Sequence, residues 1–330
     1  MNYNIYTFIF IEFIFFIFFN YYRNSNLKKY IIFFMVTFLA IYLGLRKPEI
    51  GVDTQTYINE YLTGTGGYFK EKGFKYLGYF LYLFKKEDYK FYLVVISLLN
   101  TYLYYFGFYS WIKKKNDFYF IFWTFIFNIT YLYGSINILR QSIAGGFLLI
   151  SFSFVCKKKY MYCFFFVIIG FLFHQTIIFF IPIFFLYNIY KKIKNKYLII
   201  ILLYILSCII KNILNLYEKF YIYYNFMEAN KSFYFKIIIL IIFYILYSNR
   251  KYKNLFYEYI LFYGICILIF FINYKLISGR LIYYINIFIP IILIESYNFK
   301  KRKRIYTFLI WIYHIGILFY PSTVIMFKWF

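Results

Sequence analysis

The most informative stretch of this chain is SINILRQSIAGGFLLISFSFV, residues 135–155, which opens with polar residues and continues as an apolar run. The run matches the ~20 residues that a helix needs to cross a bilayer. Arg140 and Gln141 stand near its start, although a charged side chain at membrane depth is costly. Such an arginine either snorkels from a helix end to the headgroups or faces an interior site and marks function. The stretch alone leaves both interpretations open.

The rest of the chain has the same character. Of its 330 residues, 64% are hydrophobic, and apolar runs recur from one end to the other. We predict an all-α polytopic integral membrane protein with about 12 transmembrane helices. It would form a single domain over residues 1–330. The predicted spans lie near residues 3–22, 30–45, 91–111, 117–133, 136–155, 160–174, 176–190, 197–211, 233–248, 255–273, 281–298 and 305–321.

The formal net charge of +25 does not indicate a nucleic-acid partner. A nucleic-acid footprint is a contiguous basic face, whereas here the basic residues form separate clusters between apolar runs. This distribution is typical of cytoplasmic loops under the positive-inside rule. The clusters are Arg23/Lys28/Lys29, Lys113–Lys115, Lys157–Lys159, Lys191/Lys192/Lys194/Lys196, Arg250/Lys251/Lys253 and Lys300–Arg304. We therefore expect external loops near residues 46–90 and 212–232.

Residues 74–84 are apolar but short. As a helix they measure ~16 Å at 1.5 Å per residue, which is too little for a hydrocarbon core of ~30 Å. We predict a re-entrant or interfacial helix, because this keeps every basic cluster in the cytoplasm and residues 46–90 outside. If the segment does span, residues 46–73 become cytoplasmic instead.

Arginine is scarce, with seven residues, so its positions are informative. Four of the seven lie in the cytoplasmic clusters, and Arg46, Arg140 and Arg280 lie at predicted external helix ends. With Ser135 or Asn137 as N-cap, Arg140 falls in a first helical turn, where amides and the helix dipole favour anions. A guanidinium there fits phosphate oxygens in a bidentate manner. Snorkelling is the alternative at each position.

Other residues around Arg140 add to this picture. Asn137, Arg140, Gln141 and Ala144 would share one helical face by i, i+3 and i+4 spacing. The small residues at 144–146 permit close helix approach, which could be their whole purpose.

Two groups could take a proton at this face. His174 ends the span from 160, where a capped structural role is the ordinary alternative. Asp53 is a base, an arginine partner or an Asx-turn residue, and its spacing favours the turn. Glu12 and Glu258 lie in apolar spans, where each could pair with a lysine or with a backbone group near a membrane edge. The four cysteines have no metal-ligand spacing, so neither a disulfide, a metal site nor a cofactor is predicted.

Five short motifs follow one another in order along the chain. They are Arg46…Gly51-Val52-Asp53…Tyr57, Glu71-Lys72-Gly73-Phe74, Asn137…Arg140-Gln141-Ser142-Ile143-Ala144, Phe173-His174-Gln175 before a span with Pro182, and Arg280…Tyr284. Together they resemble the EpsG/Wzy-type polysaccharide polymerases of bacteria, which join repeat units of O-antigen, capsule or exopolysaccharide. Lys72 stands where that family often has proline.

The resemblance implies a metal-independent glycosyltransferase in the bacterial inner membrane, with its active site facing the periplasm or exterior. A growing glycan on undecaprenyl pyrophosphate would move onto the free end of a lipid-linked repeat unit. The partners would be these lipid-linked glycans, membrane lipids and, optionally, a chain-length regulator. Pyrophosphate and glycan would be bound by Arg46, Tyr57, Asn137, Arg140, Gln141 and Arg280. His174 or Asp53 would take the proton of the acceptor hydroxyl.

Three other functions compete with this one. A lipid-linked oligosaccharide flippase or transporter would share the arginines, but it predicts internal repeats and mid-membrane charges. A membrane acyltransferase acting on sugars would need histidine and arginine early in the chain, and the first histidine is His174. A purely structural membrane subunit leaves the external arginines unexplained. Neighbouring genes for sugar transferases and a flippase would favour the polymerase.

Overall fold

The computed structural model describes residues 10, 12–14, 17, 25–51, 53–64, 71–112, 115–214, 231–248 and 254–296. All regular elements in these residues are helical, which confirms the all-α class for this part of the chain. The thirteen α-helices are α1 Ser25–Gly44, α2 Thr54–Leu62, α3 Lys72–Phe84, α4 Tyr89–Trp111, α5 Lys115–Ile126, α6 Ile129–Ile136, α7 Leu139–Cys156, α8 Tyr160–Phe173, α9 Pro182–Lys192, α10 Lys196–Leu214, α11 Lys231–Ser248, α12 Leu255–Phe270 and α13 Lys275–Ser296.

Most predicted spans correspond to one helix, but two are broken. The span predicted at 117–133 is divided between α5 and α6, because Asn128 caps α6 by accepting a hydrogen bond from the Thr130 amide at 2.8 Å. The span predicted at 176–190 begins as a 3₁₀ helix, Gln175–Phe180, and Pro182 then starts α9. Polar caps and prolines within apolar runs explain both breaks.

Several predicted segments fall partly or wholly outside the described residues. The span at 305–321 lies outside them entirely. The span at 3–22 is described only at residues 10, 12–14 and 17, which are helical. The loop predicted at 212–232 overlaps helix at both ends, because α10 continues to Leu214 and α11 begins at Lys231, and its residues 215–230 lie outside the described part.

Two helices of the described part are long and apolar enough to cross a membrane, α4 and α7. At 1.5 Å per residue they measure roughly 35 and 27 Å, which matches a hydrocarbon core of ~30 Å. Shorter apolar helices of 10–17 residues accompany them. The total of about 12 spans stays a prediction.

The described helices form two compact units, divided between Ile177 and Ile178. In the first unit, α7 packs between α4 and α8. A Cβ on Gly146 of α7 would lie 2.7 Å from the Leu103 Cβ of α4, so only glycine permits this approach. The predicted close packing at residues 144–146 is thereby confirmed. The organisation of residues 1–330 as one domain stays a prediction.

Helices α7 and α8 form an antiparallel hairpin. Near its turn, the Ser151 hydroxyl is 3.0 Å from Cys163 Sγ. Further along, Gly170 faces Ala144 so closely that a Cβ there would be 3.4 Å from the Ala144 carbonyl oxygen. This register carries the start of α7 and the end of α8 to the same end of the unit.

The short helices α2 and α3 cover that end. Tyr61 of α2 stacks on Tyr92 of α4 with ring centroids 4.5 Å apart, and its hydroxyl donates to the Lys85 carbonyl. Helix α3 exposes large side chains along one side, including Tyr76, Phe80, Leu83 and Phe84. At thirteen residues it is the short helix expected around 74–84. Its re-entrant or interfacial placement stays a prediction.

The second unit is built around α12, against which α9, α10, α11 and α13 pack. The Tyr259 hydroxyl donates to the Ile183 carbonyl at 2.8 Å, which fixes α12 against α9. At the start of α10, Lys196 Nζ lies 3.0 Å from a carboxylate oxygen of Glu258, which is only 1% exposed. The predicted pairing of Glu258 with a lysine is thereby confirmed. A largely apolar groove of about 400 Å³ lies between α9, α10 and α12.

Candidate functional site

One backbone carbonyl, that of Ile136 at the end of α6, joins three segments of the first unit. The Thr54 hydroxyl donates to this oxygen at 3.1 Å, and Arg46 Nη2 donates to it at 3.4 Å. Arg46 also donates from Nε to Thr54 Oγ1 at 3.3 Å and from Nη1 to the Leu43 carbonyl at 3.0 Å. Because the last carbonyls of a helix have no intrahelical donor, these bonds stabilise the ends of both α1 and α6.

The loop between α1 and α2 passes close to the same point. Gly51 has φ +94, a conformation that residues with a side chain rarely adopt. A Cβ at Gly51 would lie 2.7 Å from Thr54 Oγ1 and 3.0 Å from the Ile136 carbonyl oxygen. The Arg46…Gly51 motif therefore has a structural reason, which is to bring α2 against the end of α6.

Arg46 is 1% exposed, so its guanidinium lies within the protein rather than at a surface. Its described hydrogen bonds hold α1, α2 and α6 together. A direct role of Arg46 in binding pyrophosphate stays a prediction.

Tyr57 lies one turn into α2 and is buried against the loop that joins α6 to α7. Its hydroxyl donates to the Asn137 carbonyl at 3.4 Å, and its ring packs on Phe74 with centroids 5.4 Å apart. Burial raises the pKa of Tyr57 to about 12, although the nearby Arg140 guanidinium opposes this shift. The phenol is therefore neutral near pH 7 and acts as a hydrogen-bond donor.

Asp53 occupies the N-cap position of α2, but its side chain makes no capping hydrogen bond. The backbone nevertheless turns at Asp53, as predicted, since the Thr54 amide donates to the Gly51 carbonyl at 3.4 Å. Its carboxylate is close enough to Tyr57 to raise the pKa of that phenol further. Asp53 is partly exposed and belongs to the same end of the first unit as Arg46 and Tyr57.

Arg140 is the second residue of α7 and forms an ion pair across the unit. Its Nη1 donates to Glu71 Oε2 at 2.5 Å, and the two side chains are 23% and 13% exposed. Arg140 also interacts electrostatically with Tyr57. The predicted position in a first helical turn is confirmed. Because the first amides of a helix lack intrahelical acceptors, this guanidinium lies where anions are favoured.

The predicted N-cap of this helix is wrong. Ser135 belongs to α6, and Asn137 is the C-cap of α6, where its amide donates to the Tyr133 carbonyl at 2.8 Å. Ile138 is the N-cap of α7 and contributes no side-chain bond. Asn137 consequently does not share a helical face with Arg140, because α6 ends at Ile136 and α7 begins at Leu139. Asn137 and Gln141 are both buried, and their part in binding stays a prediction.

His174 follows the last residue of α8, and its amide donates to the Gly170 carbonyl at 2.9 Å. Ala144 of α7 faces Gly170 of α8. Arg140 lies one turn before Ala144, and His174 lies one turn after Gly170. The antiparallel register therefore places His174 level with Arg140. Its Nδ1 is 2.6 Å from Thr176 Oγ1, and the side chain is buried. A Cβ on Gly73 would be 2.9 Å from the Leu172 carbonyl oxygen, so the start of α3 also reaches this place.

Arg280 belongs to the second unit. It is the sixth residue of α13 rather than the start of a helix, because α13 begins at Lys275. The single proton of the Ser278 hydroxyl is shared between the Tyr274 carbonyl, at 3.1 Å, and the Phe271 carbonyl, so this side chain bonds to the preceding turn rather than capping a new helix. Arg280 is partly exposed, and its predicted role with Arg140 stays a prediction.

Glu71 is a site residue that its sequence motif alone does not reveal. In the sequence it is only the first residue of Glu71-Lys72-Gly73-Phe74, although the acidic partner of a membrane arginine is informative. The two residues do belong to motifs that are both predicted at the external face, which is a signal that they could pair. The structure joins them directly.

The assembled site therefore contains a partly exposed guanidinium at a helix N-terminus, a carboxylate, a neutral phenol and an imidazole. This set can bind an anionic group and exchange a proton next to it. Among the described residues, no group of three or more His, Cys, Asp or Glu side chains has the arrangement of a metal site.

Comparison with known proteins gives one match. The model of the EpsG family matches residues 29–328, and searches of curated proteins and of solved structures found no match. The match and the apolar helices together indicate a membrane protein with a part in polysaccharide biosynthesis. The resemblance expected from the five motifs is confirmed: the chain belongs to the EpsG family, and this membership indicates a function of the exopolysaccharide or O-antigen polymerase type.

Proposed function

We propose that this protein is a glycosyltransferase that joins oligosaccharide repeat units carried on undecaprenyl pyrophosphate. It acts at the outer face of the bacterial inner membrane and moves the growing glycan onto the free end of a lipid-linked repeat unit. A chain-length regulator is its further protein partner. Family membership supports the reaction class, and the ion-paired Arg140 in the first turn of α7 is the observation that carries the assignment to a site.

The chemistry of the donor explains why an arginine is needed. When the bond between the sugar and the pyrophosphate breaks, the leaving oxygen gains negative charge. Stabilisation of such developing charge by preorganised donors is usually the largest single contribution to catalysis. Arg140 offers a planar fork that suits phosphate oxygens, and the helix N-terminus adds a favourable field. The buried amides of Asn137 and Gln141 complete the proposed anion and glycan contacts of the first unit. Arg280, in the second unit, is proposed as an anion ligand on its sequence position alone.

The acceptor hydroxyl must lose a proton as it attacks the sugar carbon. Asp53 and His174 are the predicted bases, and both belong to the end of the first unit that holds Arg140. For His174 to serve, Nδ1 must donate to Thr176 so that Nε2 is the accepting nitrogen. Tyr57 stays protonated and orients the site through the Asn137 carbonyl.

The orientation can be tested with cysteines at opposite ends of the first unit. In a variant that lacks native cysteines, Thr63→Cys lies near the end of α2, and Lys157→Cys lies beyond α7, and both positions are exposed. A membrane-impermeant thiol reagent should label Thr63→Cys in intact spheroplasts. It should label Lys157→Cys only after the spheroplasts are lysed. The reverse pattern would place the site in the cytoplasm and contradict the proposal.

The activity is tested by deleting the gene and resolving surface glycan by gel. A polymerase mutant should retain single repeat units and lose the ladder of longer chains. Repeat units held on the cytoplasmic leaflet, with no surface glycan at all, would indicate a flippase instead. An unchanged ladder would contradict both functions.

A further inference from the structure

Glu71 has an unusual position for a residue that begins a helix. It is the N-cap of α3 with extended backbone, φ −77 and ψ 106, yet its side chain makes no hydrogen bond to the α3 amides. Glu71 Oε2 instead accepts from Arg140 Nη1 at 2.5 Å, across 69 residues of sequence. The carboxylate is therefore oriented towards the arginine of α7 rather than towards its own helix.

The backbone on both sides of this pair is held by other contacts. Gly73 packs on the backbone of Leu172, and Phe74 packs on Tyr57 while being only 2% exposed. Arg140 is fixed by the packing of α7 against α4 and α8. Because these contacts hold both segments in addition to the ion pair, the Glu71 side chain can change rotamer while the start of α3 stays in place.

The pair is also accessible enough to exchange. Both side chains keep part of their surface exposed, 23% for Arg140 and 13% for Glu71. A guanidinium binds phosphate oxygens through the same fork that binds a carboxylate. A pyrophosphate that reaches Arg140 therefore competes directly with the Glu71 carboxylate for this fork.

We propose that Glu71 is the resident counter-ion of Arg140 in the empty enzyme and the proton acceptor in the occupied one. The proposal rests on the proposed function, because it requires a pyrophosphate donor and a hydroxyl acceptor. Pyrophosphate displaces the carboxylate from the guanidinium, and the released carboxylate lies beside the bond that will break. A base in this place is next to both the leaving group and the incoming hydroxyl.

The acceptor oxygen forms a bond to the anomeric carbon while the bond from that carbon to the pyrophosphate oxygen breaks. The leaving pyrophosphate keeps the electron pair of the broken bond, and Arg140 neutralises its charge. The proton of the acceptor hydroxyl passes to a Glu71 carboxylate oxygen. Asp53 and His174 then orient the acceptor or the loop rather than take this proton.

The variant Glu71→Gln separates a role as proton acceptor from a role as structural partner of Arg140. The amide oxygen of Glu71→Gln can still accept from Arg140, and its volume is nearly unchanged, but it cannot take a proton. We expect Glu71→Gln to lower chain extension by at least ~100-fold, as for loss of a general base. Purified Glu71→Gln should bind undecaprenyl pyrophosphate at least as tightly as the wild type, because the competing charge is gone. Asp53→Asn and His174→Ala should shorten the ladder without abolishing it.

The control is Glu87→Gln, which removes an exposed carboxylate between α3 and α4 and should leave ladder and binding unchanged. A full ladder in Glu71→Gln cells would overturn the proposal and return the proton to His174 or Asp53. Loss of both ladder and lipid binding in Glu71→Gln, with recovery in the Arg140→Glu, Glu71→Arg double variant, would show a purely structural pair and also overturn it. If gene deletion itself leaves the ladder intact, the proposed function fails first, so the two failures are distinguishable.

Discussion

The two units each contain a partly buried ion pair, and the two pairs differ in construction. Arg140–Glu71 in the first unit has both partners partly exposed, at 23% and 13%. Lys196–Glu258 in the second unit has a carboxylate that is only 1% exposed. Lys196 Nζ also donates to the Tyr190 hydroxyl at 2.9 Å. Lys196, at 22%, is exposed to the same extent as Arg140, so the two pairs differ at the carboxylate: Glu258 is enclosed by its own unit, whereas Glu71 keeps part of its surface exposed.

This difference separates a pair that can exchange its anion from one that holds helices together. Removing one partner of an enclosed pair leaves an uncompensated buried charge, which is strongly destabilising. An open pair at a helix N-terminus loses less stability, because water or an anion can replace the missing partner. The first pair should therefore affect activity and the second should affect stability.

Arg140→Ala gives the largest effect on activity that we expect. Loss of the guanidinium removes the main stabilisation of the leaving pyrophosphate, so chain extension should fall by ~10²–10³-fold. Arg140→Lys keeps the charge but loses the fork, and it should be impaired to a smaller extent. The measurement is the surface glycan ladder, normalised to the amount of protein in the membrane. If the ladder declines only in proportion to the amount of protein in the membrane, Arg140 stabilises the fold rather than the leaving group. The two ion pairs would then not differ in function.

Lys196→Met should give the opposite result. Glu258 would then be a buried carboxylate without its cation, at a cost of about 3–5 kcal/mol. We expect a clearly lower Tm in detergent and less protein in the membrane, with an unchanged ladder per molecule. The double variant Lys196→Met, Glu258→Gln should recover most of the lost stability, because no charge remains buried. Loss of ladder at a normal protein level would place this pair in the catalytic machinery instead.

The sequence predicted the helical class and the positions of most helices, because apolar run length is a local property. It also predicted that Arg46, Arg140, Arg280 and His174 would lie at one face, since alternating spans bring their loops together. Within the first unit, Arg46 and Tyr57 contact the connection between α6 and α7, next to Arg140. The place of Arg280 at the same face stays a prediction.

Two predicted helix starts, those of α7 and α13, are wrong because tertiary contacts outweigh local capping preferences. Ser135 and Asn137 are good capping residues, but α6 continues through Ser135, and Asn100 Nδ2 donates to its hydroxyl at 3.0 Å. Arg280 was expected at a helix start because Ser278-Gly279 resembles a boundary. The Ser278 hydroxyl is instead satisfied by carbonyls of the preceding turn. The Glu71–Arg140 pair could not be derived from spacing, because it depends on how α3 packs across α8.

Gly146→Ala tests whether the first unit needs its close helix contact. The added Cβ would lie 2.7 Å from the Leu103 Cβ, so α7 must shift away from α4 at a cost of about 1–3 kcal/mol. We expect a lower Tm and a several-fold weaker ladder, because Arg140 moves with α7. Gly279→Ala is the matched control, since its Cβ would have nothing within 4 Å. If Gly146→Ala and Gly279→Ala lower the Tm equally, the close contact with Leu103 is not the cause of the loss in Gly146→Ala.

Tyr57→Phe should have the smallest effect, and it tests how far the first pair depends on its neighbours. The substitution keeps the ring on Phe74 and removes one hydroxyl, which donates to the Asn137 carbonyl at 3.4 Å. A single neutral hydrogen bond contributes about 0.5–1.5 kcal/mol, so chain extension should fall by roughly 2–10-fold at a normal protein level. Tyr61→Phe is the control on the same helix, because its hydroxyl bonds to Lys85 and its ring stays stacked on Tyr92. It should leave the ladder per molecule unchanged. A loss of 100-fold or more in Tyr57→Phe would mean that the phenol itself contacts the substrate, and the site would then extend from Arg140 into α2.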